Sequence, residues 1–234
     1  MNTELFFSIV IPTYNRASFI KATIESVLQQ SYANFELIVV DDGSTDNTTE
    51  IIESISDKRL FYYKKQNAER GAARNYGVKK SKGDYVTFLD SDDLLKPNYF
   101  ETAVEIINSH KQPEVFHLAY NIITPEGKEL QSVQFKEGEI NELLIIKGNV
   151  MSCTGVFLKR STALNFPFNE DYALSGTEDH ELWLRLAAHF PILHFNTITA
   201  SLVQHDSRNV LEVNPQKLVQ RLELFIKYVC ADED

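Results

Sequence analysis

The chain has 234 residues, a hydrophobic fraction of 43% and a formal net charge of -10. That is ample chain and apolar content for one core, while the acidic balance excludes a general nucleic-acid binder and gives no attraction to an anionic membrane surface. Cys153 and Cys230 stand far apart with no C-x-x-C pairing, which argues against a disulfide framework or cysteine metal site and for two buried thiols in a reducing compartment.

No apolar run approaches the roughly 20 residues of a spanning helix, and residues 5–12 lack the basic flank and cleavage site of a leader. A soluble, intracellular protein is expected. Residues 6–11 form a β-branched run and read as a buried strand. Ser18 is placed to cap a helix with Ile20, Ile24, Val27 and Leu28 on one face. Residues 35–40 are the next strand. Thr45 or Asp46 can cap a helix carrying Ile51, Ile52 and Ile55. Residues 60–63 read as a strand, 71–80 as a helix ended by Gly83, and 85–89 as a fourth strand. Pro97 opens a helix with Phe100, Val104 and Ile107 inward. This alternation predicts an α/β fold, a Rossmann-like, mostly parallel central sheet flanked by helices.

The rhythm changes after residue 112. Residues 115–123 and 129–135 read as a hairpin around Pro125-Glu126-Gly127. A short helix over 139–146, a strand over 154–158, a polar loop over 165–177, an amphipathic helix over 178–190 and a strand over 192–203 follow. Residues 215–229 close the chain as a helix with Leu218, Leu222, Phe225, Ile226 and Val229 on one side. There are no repeats or linkers. The expected organisation is a single domain over 1–234, with a nucleotide-binding half at 1–111 and an acceptor-side half with the C-terminal helix at 112–234.

Two acidic clusters follow strands directly: Asp41-Asp42 and Asp90-Ser91-Asp92-Asp93. Carboxylates gathered beyond the ends of parallel strands need a cation or donors between them. Asp90 and Asp92, spaced by one residue, can approach a divalent ion from one side, with phosphate and water at its other positions. The plainer reading, a capped loop before the Pro97 helix, explains Asp93 but not Asp90. Of Asp41 and Asp42, one is expected to serve the chain's own hydrogen bonding and the other a base or ribose. Tyr14, after Pro12, either stacks on a base or covers the core edge. Gly71-Ala72-Ala73-Arg74-Asn75 offers helix N–H groups and an Arg74 fork to phosphates, a weak pattern alone. Glu178-Asp179 opens a helix, which favours acids electrostatically and also keeps a carboxylate ionised for use as a base. A lone histidine such as His205 is more often structural.

Taken in order, Pro12-Thr13-Tyr14-Asn15, Asp41-Asp42-Gly43-Ser44, Gly71-Ala72-Ala73-Arg74-Asn75 with Gly77, Gly83-Asp84-Tyr85, Asp90-Ser91-Asp92-Asp93, and Glu178-Asp179 with Trp183 resemble family 2 glycosyltransferases of the GT-A fold, over residues 7 to 205. The resemblance implies inverting transfer of a sugar from a nucleotide-sugar, usually UDP- or TDP-linked, to a carbohydrate or lipid-linked sugar acceptor, in glycan or cell-surface polysaccharide synthesis. It implies Mn2+ or Mg2+ as cofactor. By that likeness Pro12 and Tyr14 border the base, Asp42 binds the uracil edge, and Asp90 with Ser91 faces the ribose or metal. Asp92 is the main metal ligand, His205 an added one, and Asp179 the catalytic base, while Arg74 adds to the field on the diphosphate. Cytoplasmic location, with peripheral visits to the inner membrane face, and self-association through the C-terminal helix are compatible with it. Competing readings are a silent nucleotide-sugar-binding module, a haloacid-dehalogenase-like phosphatase, whose aspartate pair follows the first strand and not the fourth, and a sugar-nucleotide pyrophosphorylase, whose glycine-rich loop is absent.

Overall fold

β1 (Phe7–Thr13) is buried at every position because helices cover both of its faces. Phe7, Ile9 and Ile11 belong to one core, and Val10 to the other, the period-2 alternation of a strand sandwiched between layers. The computed structural model describes residues 4–206 and 215–230. In chain order β1 is followed by α1 (Ile20–Leu28), β2 (Phe35–Asp41), α2 (Thr48–Glu53), β3 (Leu60–Lys64), α3 (Glu69–Lys80), β4 (Tyr85–Phe88), β5 (Leu94–Leu95), α4 (Tyr99–Ser109), β6 (Val115–Ile123), β7 (Glu129–Val133), β8 (Gly138–Glu139), α5 (Asn141–Lys147), β9 (Val156–Lys159), α6 (Arg160–Asn165), α7 (Glu178–His189), β10 (Ile192–Val203) and α8 (Pro215–Cys230).

One sheet runs through both halves, in the order β3-β2-β1-β4-β9-β6-β10-β5, with β7 on β6 and β8 on β10. β3, β2, β1 and β4 are parallel, as right-handed crossovers require. β9 then inserts antiparallel to both β4 and β6, and β10 returns parallel to β6. The parallel order is therefore confined to the first half and to the β6–β10 pair. Because β1, β2 and β4 point the same way, the chain segments after Thr13, Asp41 and Phe88 leave the sheet at one edge.

The two cores differ in texture. On the α1 and α4 side, Phe7 stacks on Phe100 at 5.0 Å and Phe116 on Phe157 at 4.7 Å, geometry worth about 0.5–1.5 kcal/mol per pair beyond area burial. On the other side α3 lies so close to β1 that a Cβ on Gly77 would stand 2.3 Å from Val10 Cγ1. Gly83, read from the sequence as a helix stop, has a different role. Ser81 is the cap of α3, and a Cβ on Gly83 would meet the Ser8 nitrogen at 2.5 Å.

Other local expectations change. Ser18 caps nothing: α1 begins after Phe19, whose N–H, like that of Ile20, donates to the Arg16 carbonyl. Asp46 does organise the start of α2, accepting from the Thr48 N–H and also from Ala17, although Asn47 holds the cap position. Asp93 is not a cap for the next helix; it is fully buried and accepts from the Val203 N–H, tying the acidic loop to the end of β10. α4 starts at Tyr99, two residues past Pro97. Val104 is only part-buried, and Ala103 takes the fully buried place. β5 and α6 have no counterpart in the sequence reading, and the 165–177 loop contains a 3-10 turn at Tyr172–Leu174. Both cysteines are free, but Cys230 is exposed. Ile226, expected inward, is 60% exposed. The side chains of Leu218 and Leu222, and the acidic C-terminus, lie outside the described residues.

Candidate active site

The strand exits open into a cleft of about 1030 Å³ lined by residues from the whole length of the chain. Pro12, Tyr14, Asp42, Arg74, Asp90, Ser91, Asp92 and Asp179 all reach it. The sequence thus located the cleft; the structure shows how each group is held.

Asp41 serves the chain's own hydrogen bonding, as one of the pair was expected to. Asp41 is fully buried and turns back into the fold, accepting from the Ser44 N–H at 2.7 Å, the Tyr62 hydroxyl at 2.8 Å and the Thr49 hydroxyl at 3.1 Å. Burial alone would raise its pKa, but these bonds outweigh it and hold the carboxyl below its ordinary range. The same burial pushes the Tyr62 hydroxyl up to about 12. Asp42 faces the cleft, gripped by Lys65 Nζ and by the Ala68 N–H, which lies 3.1 Å from both oxygens. That N–H belongs to the cap residue of α3, so this start donor expected for phosphate is given to Asp42. Tyr14 stands 46% exposed at the rim.

Arg74 does not stand open to a phosphate. Its guanidinium is 2% exposed, with one terminal nitrogen 2.8 Å from Glu178 Oε1 and the other 2.8 Å from Asp90 Oδ1. The guanidinium carbon lies 5.2 Å from the centre of the Phe168 ring. The planar fork that suits phosphate suits two carboxylates equally. Arg74 therefore fastens the exit of β4 to the first turn of α7. The rest of the small-residue motif serves the same purpose. Asn75 donates to the Phe168 carbonyl at 2.8 Å and accepts from its N–H at 2.8 Å, and a Cβ on Gly71 would lie 2.9 Å from the Asn169 carbonyl. α3 is the clamp on the loop that delivers Glu178 and Asp179. Cleft-facing cations are instead Arg16, whose Nε is 3.5 Å from Asp92, and Arg70, 3.8 Å from Glu178.

Asp92 Oδ2 lies 3.1 Å from His205 Nε2, and the imidazole stacks on Phe19 at 4.3 Å. The lone late histidine is thus brought onto the acidic pair, 113 residues away in sequence. Asp90 turns one oxygen to Arg74 and is not gathered with them into a metal shell; among the described residues no group of three His, Cys, Asp or Glu side chains forms one. Ser91 is buried, and its carbonyl accepts from Thr23.

Asp179 sits in the first turn of α7, part-buried. One oxygen accepts from the His180 N–H at 2.7 Å and the other from Asn149 Nδ2 at 2.9 Å. Burial and then the neighbouring Glu178 push its carboxyl up to about 6, against the pull of Arg74 and Asn149. Sequence reasoning missed Asn149, Arg16 and Lys65. Asn149 carries no motif; Arg16, next to the Pro12-Thr13-Tyr14-Asn15 run, was the one open to notice.

Comparison with known proteins decides the family. The model for "Glycosyl transferase family 2" matches residues 8–161. The chain belongs to glycosyl transferase family 2. Among members, it is 38% identical over 181 residues to an uncharacterized glycosyltransferase of Haemophilus influenzae, covering 74% of this chain and 71% of that protein. It is 35% identical over 180 residues to an Escherichia coli protein named UDP-Glc:alpha-D-GlcNAc-diphosphoundecaprenol beta-1,3-glucosyltransferase WfaP, covering 76% and 69%. A Rickettsia felis relative is 34% identical over 198 residues, 81% of this chain, but the match spans only 32% of that protein's length. The fold is shared with a solved structure: Staphylococcus aureus TarS 1-349 in complex with UDP-GlcNAc superposes with a TM-score of 0.77 at 23% identity, over 96% of this chain and 66% of that one. The GT-A expectation holds.

Proposed function

We propose that this family 2 chain transfers a sugar from a nucleotide-sugar, UDP-linked in the first instance, to an acceptor hydroxyl, with inversion at the anomeric carbon. The reading is supported by TarS, solved with UDP and with UDP-GlcNAc, and by WfaP, whose name specifies a UDP-Glc donor and a diphosphoundecaprenol-linked acceptor. The observation that carries it is the inequality of the carboxylates at the α7 end of the cleft. Glu178 and Asp90 share the charge of Arg74, whereas Asp179 is held by neutral donors and displaced to about 6. A carboxylate near that value is ionised at pH 7 and still basic enough to accept a hydroxyl proton.

Asp42 and Tyr14 border the base, Asp42 accepting from an N–H edge and Tyr14 offering a ring face. Asp90 and Ser91 lie toward the ribose, with Asp90 oriented by its ion pair with Arg74. Arg16 and Arg70 offer positive charge toward a diphosphate. Asp92 and His205 together present a carboxylate oxygen and an imidazole nitrogen, a donor set that fits Mn2+ or Mg2+ with phosphate and water completing the shell. Such an ion supplies Lewis-acid stabilisation of the leaving diphosphate. Asp179 removes the acceptor proton as the hydroxyl attacks, and a single displacement needs no protein nucleophile.

The reading extends to glycan or cell-surface polysaccharide synthesis in the cytoplasm, with a lipid-linked acceptor met at the inner membrane face. No helix among the described residues is long and apolar enough to cross a membrane. A thermal-shift series with UDP-, GDP- and TDP-sugars, with and without Mn2+, tests donor choice, because a ligand of the native state raises the midpoint with its affinity. UDP-sugars should give the largest shift, dependent on Mn2+ and reduced in Asp92→Ala. NMR of the product should show the anomeric configuration opposite to the donor's; retention refutes the single displacement.

A further inference from the structure

Asn149 is outside every motif, yet it makes the one side-chain contact to Asp179 among the described hydrogen bonds: Nδ2 donates to Oδ2 at 2.9 Å. The other oxygen is fixed by the His180 N–H, which belongs to the same helix turn as the carboxylate. One donor thus comes from the element that carries Asp179, and the second from a separate loop. Two donors on two oxygens define the plane of a carboxylate, whereas the backbone donor alone leaves it free to rotate about its side-chain bonds.

The loop is shaped for this task. Gly148, at the end of α5, has φ 79 and ψ -153, a region open only to glycine. A Cβ there would meet nothing within 4 Å, so crowding does not explain the glycine; the backbone direction does. That reversal sends Asn149 to the cleft, which it lines. α5 itself is fastened to α7 by His180 Nε2, 3.3 Å from the Leu144 carbonyl, so the loop and the carboxylate share one support.

An amide is the appropriate donor. A lysine or arginine in its place would favour the ionised carboxylate strongly and remove its basicity. An amide orients the group and lowers its pKa modestly, leaving the opposing effects of burial and Glu178 in charge. We propose that Asn149 is the positioning residue of the base, fixing the Asp179 carboxylate toward the acceptor hydroxyl. The proposal rests on the assignment of Asp179 above.

The test is the pH profile of kcat for the full chain with donor and acceptor. Asn149→Ala should lower kcat about 10-fold and move the acid limb up by about half to one pH unit. Loss of a donor raises the carboxyl's pKa, so the base is protonated over a wider range. Asn149→Asp places a like charge beside it and should move the limb further in the same direction, while Asn149→Gln, which keeps the amide, should return part of both losses. Donor binding by calorimetry should equal wild type in all three. Asn149 is exposed, so these variants should fold. If Asp179→Asn is inactive but the limb in Asn149→Ala stays in place, the role of Asn149 is overturned and the base stands. If Asp179→Asn turns over at the wild-type rate, the base assignment fails and takes the proposal with it.

Discussion

The N-terminal and C-terminal halves of the sheet are built by different rules. β1, β2 and β4 are parallel and buried on both faces, and the loops beyond β2 and β4 carry acids at one edge. The C-terminal half is a mixed-direction sheet with an exposed hairpin strand, β7, and with Ile145 and Ile146 of α5 at 72% and 76% exposure. The first half is a frame that sets the position of Asp42, Asp90 and Asp92 in the cleft. The second supplies Asp179, Asn149 and His205 from loops and a helix end. Across the cleft the halves are tied by the buried Arg74, bonded to Asp90 on one side and Glu178 on the other.

Breaking the join should have the largest effect. Arg74→Ala leaves Glu178 buried without its partner, a loss of about 3–5 kcal/mol. Urea unfolding should show it, and activity should fall with it. Had Arg74 acted only on a phosphate, activity would fall and stability would not.

A second effect distinguishes the C-terminal core by pH. His117 and His194 are both fully buried, with Nδ1 atoms 2.9 Å apart. His194 Nε2 faces Asn196 Oδ1 at 3.0 Å, and as Asn196 Oδ1 can only accept, His194 donates there. His117 must then donate to His194 Nδ1, so both rings are neutral. Burial lowers both pKa values, His117's well below the ordinary range and reinforced by His194. With folded values depressed below an unfolded value of about 6.5, the stability of the neutral pair is complete above that pH and is lost as pH falls through it. The slope should reach about 1.4 kcal/mol per pH unit for each histidine. Urea midpoints between pH 8 and 5 measure it, and His117→Leu with His194→Gln should flatten it. Smallest of all, Ile145→Ser and Ile146→Ser should each change stability by less than about 0.5 kcal/mol, because these side chains are on the surface of α5. A loss of more than 2 kcal/mol would show that face to be core.

The division of the sheet is also the division in what could be read from residues alone. The parallel strands announce themselves as apolar runs, two of them followed by acids, and the cleft residues Asp42, Asp90, Asp92 and Asp179 were visible because carboxylates at strand exits and helix starts are conspicuous. Two-residue β5, six-residue α6 and the β9 insertion are too short to carry a period. The pairing of Arg74 with Glu178 spans 104 positions and that of His117 with His194 spans 77. Neither has a local signature, so Arg74 read as a phosphate ligand and the histidines as nothing.

The most direct test of the account is Asp179→Asn, an exchange of near-equal shape that removes the proton acceptor. Calorimetric affinity for the UDP-sugar should match wild type, while transfer should fall by about 10²- to 10⁴-fold. Transfer at the native rate with donor affinity intact would contradict the account.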